Sequence, residues 1–87
     1  MKDLWTVYMV ECSDGTYYTG STNNLFSRIR THNSGNGAKY TKSRLPVKLR
    51  WYGEWITKNA ALKLEAKIKK LSRYAKKTLI DEYELIL

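Results

Sequence analysis

The chain has 87 residues, enough for one domain around one small core. Sixteen Lys and Arg against eight Asp and Glu give a net charge of +8, which points to a polyanionic partner, either nucleic acid or a membrane surface. One cysteine and one histidine exclude an internal disulfide and a zinc finger, and no apolar run approaches the ~18 residues a membrane-spanning helix needs. The opening Met1-Lys2-Asp3-Leu4-Trp5 lacks the apolar centre of a secretory signal, so residues 1–87 are read as a single cytoplasmic domain.

Residues 4–12 are rich in aromatic and β-branched types and read as a strand buried on much of both faces. Ser13-Asp14-Gly15-Thr16 is a turn signal, and Tyr17-Tyr18-Thr19-Gly20 is the returning strand. The turn type decides where the tyrosines go. With Asp14-Gly15 alone as the loop, Tyr8 and Tyr18 point to opposite faces, because strand side chains alternate. With Ser13-Asp14-Gly15 as the loop and Gly15 left-handed, Cys12 faces Thr16, Val10 faces Tyr18 and Tyr8 faces Gly20, so both tyrosines share a face. The second register is the predicted one. Gly20 and the polar run Ser21-Thr22-Asn23-Asn24 are expected to end the strand and cap a helix over residues 24–32.

In that helix Leu25, Phe26 and Ile29 form the expected core stripe. Arg28 and His32, four apart, share one flank, and Arg30 lies on the other. Residues 33–44 read as a loop carrying Lys39, Tyr40, Lys42 and Arg44, closed by Pro46. Val47 to Gly53 alternates apolar and basic residues, the pattern of a half-buried strand. Thr57 is the expected cap of a helix over residues 58–72, with Ala61, Leu64, Ile68 and Leu71 on its apolar stripe. A last helix over residues 75–86 buries Leu79, Ile80, Tyr83 and Ile86 and shows Asp81, Glu82 and Glu84 to solvent. The order is ββαβαα, an α+β domain with a small three-stranded antiparallel sheet flanked by helices.

Several residues admit both a structural and a chemical reading. Glu65 is the one carboxylate between Glu54 and Asp81, at the edge of the apolar stripe. It is either an ion pair with Lys69 or a single-carboxylate anchor for Mg²⁺, an ion that keeps most of its shell as water and phosphate. Arg28 is either a solvated helix residue or a fork for a phosphate. His32 is a helix-end dipole partner, a proton shuttle or a phosphate contact. Tyr8 and Tyr18 are core aromatics, or hydroxyls activated by a neighbouring cation. Lys39, Tyr40, Lys42 and Arg44 read as a nucleic-acid-binding surface with a stacking ring, or as a solubilising basic surface. A membrane-surface role for the Lys-rich helix is the weaker reading, because its apolar stripe is what the small core needs.

Thr6-Val7-Tyr8, then Tyr18-Thr19-Gly20, Arg28, His32 and a later helical Glu65, resemble the GIY-YIG nuclease family, in particular its small stand-alone bacterial members. Gly37-Ala38-Lys39-Tyr40-Thr41 and Leu64-Glu65-Ala66-Lys67-Ile68-Lys69 resemble those members too. Thr6-Val7 stands where the family name has Gly-Ile, Thr19 stands where it has Ile, and no equivalent was placed for an asparagine that some members carry after the glutamate-bearing helix. The resemblance implies an endonuclease that hydrolyses a phosphodiester, with DNA as the expected substrate and one Mg²⁺ or Mn²⁺ on Glu65. It implies Tyr8 as activator of the attacking water, Tyr18 as its positioner, Arg28 for the transition-state charge, His32 as proton carrier and Gly20 for a close turn into the helix. The alternatives are a non-catalytic nucleic-acid-binding module of the same fold, and a subunit that works only with a protein partner docked on the acidic last helix.

Overall fold

The computed structural model describes residues 3–86, with side chains as far as Tyr83, so the expected roles of Glu84 and Ile86 lie outside the described residues. Strands β1 (Thr6–Glu11) and β2 (Tyr17–Thr22) form the hairpin. Helix α1 (Leu25–Asn33) and a single helical turn, α2 (Lys39–Lys42), lead to β3 (Lys48–Tyr52), followed by α3 (Lys58–Lys69) and α4 (Arg73–Ile86). The sheet is antiparallel in the order β2-β1-β3, which leaves β2 and β3 as edges. The three strands, α1, α3 and α4 come in the order expected from the sequence, and α2 is an addition to it.

The hairpin has the bulged register. Gly15 has φ 83°, its amide donates to Cys12 O, and the Cys12 amide donates to Thr16 O. Val10 pairs with Tyr18 and Tyr8 with Gly20. The strand runs on past Gly20 to Thr22, because Ser21 and Thr22 continue the ladder opposite Val7 and Thr6. The polar run therefore does not stop the strand. Asn24 alone turns the chain, accepting from the Ser27 amide as the cap of α1.

Alternation divides the core into two layers. Val7 and Met9 point toward α3 and α4, where they meet Ala61, Ile68 and Ile80 with Trp5, Trp51 and Leu64 around them. Tyr8, Val10 and Cys12 point the other way, against Val47, Leu25, Ile29 and Leu45. Central β1 is buried on both faces, as its unbroken apolar run requires. Two expected core residues are not core. Phe26 is 86% exposed, because the helix face turned to the sheet is spanned by Leu25 and Ile29. Leu71 is exposed because α3 ends at Lys69, one turn earlier than its periodicity suggests. The 33–44 loop contains the α2 turn, which buries Thr41. Between Met9 and Val10 the β1–β3 register slips, leaving Arg50 out of the ladder and its guanidinium on the Glu11 carboxylate.

Candidate active site

Tyr8 projects from the middle of the sheet toward α1 and is fully buried. Its partner across the hairpin is Gly20, where a Cβ would lie 2.6 Å from the Tyr8 hydroxyl and 2.8 Å from its Cζ. Gly20 is thus a slot for the Tyr8 ring across the strand pair, rather than a hinge into the helix. The hydroxyl meets His32 Nε2 at 2.7 Å, and Arg28 Nε donates to it at a longer 3.4 Å. One flank of α1 delivers both residues, as their spacing of one turn dictates.

The network holds the imidazole between two hydroxyls. Thr41 Oγ1 lies 3.0 Å from Ala38 O and 2.9 Å from His32 Nδ1. In the tautomer with the proton on Nδ1, His32 donates to Thr41 and Nε2 accepts from Tyr8; in the other, Thr41 donates to Nδ1 and Nε2 donates to Tyr8. Burial first, then the charge of Arg28, lowers the His32 pKa from its ordinary value, and the ring is held neutral. The bend that allows this packing needs a glycine, since a Cβ on Gly37 would collide with His32 Nδ1 and come within 2.8 Å of His32 Cα. Thr41 and Gly37 were not foreseen as site residues; their signal was the Gly37–Thr41 stretch, quoted above only as a resemblance.

Burial also raises the Tyr8 phenol, outweighing the hydrogen bond and charge of Arg28, which lower it. The neighbouring arginine does not by itself make a phenolate here. Arg28 in turn is held in its charged form, first by its hydrogen bond to Tyr8, against the effect of burial.

Tyr18 lies beside this trio, edge-on to His32 at 5.4 Å between centroids. Its other neighbour is Tyr40, stacked at 6.1 Å. Arg44 sits 4.0 Å over the Tyr40 ring and is tied to Asp14 Oδ2 and Tyr40 O. Tyr40 is therefore a wall of the site, and Arg44 a clamp between α2 and the hairpin loop, rather than the free stacking ring and phosphate contact expected of them. Lys39 and Lys42 flank Tyr40 on the exposed α2 turn.

Glu65 arrives differently. Its helix, α3, packs on the layer of Val7 and Met9, and its carboxylate is held by Ser21, which lies opposite Val7 in β2 rather than on the Tyr8 face. Ser21 donates to Oε1 at 2.6 Å and Lys69 Nζ stands 2.7 Å from Oε2, so the expected pair with Lys69 is formed. The side chain is 16% exposed, and its charge acts on Tyr8. Tyr18 acts on both Arg28 and Lys69, which places these charges around one edge of the sheet. Ser21, the tether of Glu65, gave no sequence signal beyond its place in a polar run.

Among the described residues no three His, Cys, Asp or Glu side chains cluster as metal ligands. Glu65 still fits a hard cation. Ser21 is the partner of Oε1, and Oε2 already faces a cation in Lys69, whose place a metal ion would take. That donor set suits Mg²⁺ or Mn²⁺ bound mainly through water and substrate oxygens.

The fold and site together are those of a small, strongly basic α+β domain in which buried Tyr8 and His32 meet the half-buried Arg28, with Glu65 on α3 held by Ser21. Residues 4–78 match the GIY-YIG catalytic domain, and the chain belongs to that family, which is a nuclease superfamily. A UPF0213 protein of Streptococcus agalactiae is 47% identical over 78 residues, covering 90% of this chain and 89% of its own. A UPF0213 protein of Halobacterium salinarum is 51% identical over 73 residues, covering 84% and 95%. The solution structure of a UPF0213 protein from Bacillus halodurans aligns with TM-score 0.57 at 41% identity, covering 90% of this chain and 83% of that one. That of an E. faecalis protein aligns with TM-score 0.63 at 36% identity, covering 97% and 90%.

Proposed function

We propose that this chain is a divalent-metal-dependent endonuclease that hydrolyses a phosphodiester of DNA. The observation that carries the reading is the hydrogen-bonded path from Tyr8 through His32 to Thr41, with Arg28 against the Tyr8 hydroxyl; the tautomer with the proton on Nδ1 is the one this chemistry uses. A buried neutral phenol is a poor base alone. Here it gives its own proton to His32 Nε2 as it takes one from the attacking water, so no isolated phenolate forms in the buried site. Neutral His32 is the resting state this exchange needs. Arg28, already against the Tyr8 hydroxyl, offers its remaining N–H groups to the phosphate oxygens as charge builds in the transition state. Tyr18 positions water or phosphate beside it. Glu65 would hold Mg²⁺ or Mn²⁺, which when bound supplies charge neutralisation at the phosphate and the leaving oxygen.

The net charge of +8 supports a nucleic-acid partner, and no helix among the described residues is long and apolar enough to cross a membrane. The test is a panel of labelled DNA and RNA forms incubated with Mg²⁺ or Mn²⁺. Cleavage that needs the ion, stops in EDTA and is lost in Glu65→Gln, with binding retained, supports the reading. Salt-sensitive binding without cleavage of any form replaces it with the non-catalytic module.

A further inference from the structure

A groove along β2 adjoins the Tyr8 site, sharing its Tyr18 and Tyr40. It has a volume of about 340 Å³ and is lined by Tyr17, Tyr18, Thr19, Tyr40, Lys69 and Lys76. A smaller hollow continues it past Tyr17 to Arg73, which sits 5.5 Å over the Tyr17 ring, and Lys76 lines both. Three cations from the end of α3 and the start of α4 thus follow the edge strand, and neither lining contains an acid. Thr19 lines the groove and is 3% exposed, yet among the described residues its hydroxyl has no hydrogen-bond partner. An unmet buried donor beside two lysines points to an acceptor from outside the chain. The remaining polar groups are tyrosines, whose rings suit the sugars and bases between phosphates.

Lys69 belongs to two places at once: it lines this groove, and its ammonium is the ion partner of Glu65. The pair fills the Oε2 side of the carboxylate with a cation that is not a metal. The chain is half exposed there, so the ammonium is free to swing.

We propose that this groove binds a backbone phosphate of the nucleic-acid strand next to the one cleaved, and that Lys69 leaves Glu65 for that phosphate, so that strand and divalent cation bind cooperatively. This rests on the nuclease reading above, because it assumes the cation's place on Glu65. In the free protein Lys69 and the cation compete for Oε2. An arriving phosphate draws Lys69 away and frees that oxygen. By linkage, each ligand then tightens the other by the same factor. The device keeps the carboxylate occupied until a strand is in place.

Two measurements that need no turnover test it. The first is Mn²⁺ binding followed by EPR, with and without the single-stranded probe (dT)8, for wild type, Lys69→Met and Glu65→Gln. Wild type is expected to bind Mn²⁺ roughly fivefold tighter or more in the presence of (dT)8. Lys69→Met is expected to bind Mn²⁺ tightly without it and to lose the coupling. The second is (dT)8 binding in EDTA across a salt series. Lys76→Met is expected to weaken it and to reduce the log–log salt slope by about 0.7.

Unchanged Mn²⁺ affinity and coupling in Lys69→Met, with the site lost in Glu65→Gln, overturns the switch and leaves the metal reading standing. Unchanged Mn²⁺ binding in Glu65→Gln removes the metal reading and the switch with it. Wild-type (dT)8 binding and salt slope in Lys76→Met overturn the groove.

Discussion

Gly20→Ala tests the packing that aims Tyr8. The added Cβ would lie 2.6 Å from the Tyr8 hydroxyl and 2.8 Å from Cζ, closer than real Cβ contacts run. Tyr8 is fully buried, and His32 holds its hydroxyl at 2.7 Å, so neither ring nor strand gives way freely. Relief needs a retreat of roughly 1 Å, a displacement that can cost an enzyme ~10²-fold in rate. Overpacking of this kind costs ~1–3 kcal/mol, or about 4–8 °C of melting temperature per kcal/mol in a domain this small. Calorimetry gives the stability change. Nitrogen NMR of the imidazole gives the geometry, its assignment immediate because the chain has one histidine. Gly35→Ala is the control, since Gly35 has φ 85° but nothing within 4 Å of an added Cβ, so only backbone strain of ~1 kcal/mol is expected. Wild-type melting and an unchanged imidazole spectrum in Gly20→Ala would refute the reasoning.

Because burial holds the His32 pKa below the unfolded value of 6.5, the unfolded chain takes up that proton first. The His32 contribution to stability is therefore full above 6.5 and is lost as pH falls from there toward the folded pKa. Urea midpoints measured across that range should fall with acid in wild type and flatten in His32→Gln; an equal slope in both would count against a buried neutral imidazole. Thr41→Val leaves His32 Nδ1 without its hydrogen-bond partner, with an expected loss of ~1–3 kcal/mol by denaturant titration. Asn24→Ala removes the cap of α1, at ~1 kcal/mol by the same method. Phe26→Ala, at a side chain 86% exposed, should stay within about 0.5 kcal/mol of wild type, whereas a core role would cost several times more.

The hairpin was readable because its constraints are local. Ser13-Asp14-Gly15 sets the loop, Gly15 takes the positive φ, and side-chain alternation then places Tyr8 and Tyr18 on one face. Helical spacing put Arg28 and His32 on one flank of α1, and the family resemblance made them site residues. The contacts that finish the site are long-range and left no local pattern. Ser21 meets Glu65 across 44 positions of sequence, and Thr41 meets His32 through a turn that composition marked only as a loop. Periodicity also could not tell which side of a short stripe meets the sheet, so Phe26 was read inward and faces solvent. Lys39, Lys42 and Arg44 are grouped by sequence, whereas Lys69, Arg73 and Lys76 come together beside β2 only once α3 and α4 fold back over it.

The central claim is that the Tyr8 hydroxyl, wired to His32 and Arg28, performs the chemistry. Tyr8→Phe keeps the ring and removes only that oxygen, so its cleavage rate with Mg²⁺ or Mn²⁺, set beside its binding of the same DNA, is the most direct test. The account predicts a rate lower by ~10²–10⁴-fold with binding near wild type. A Tyr8→Phe protein that cuts at the wild-type rate would contradict it.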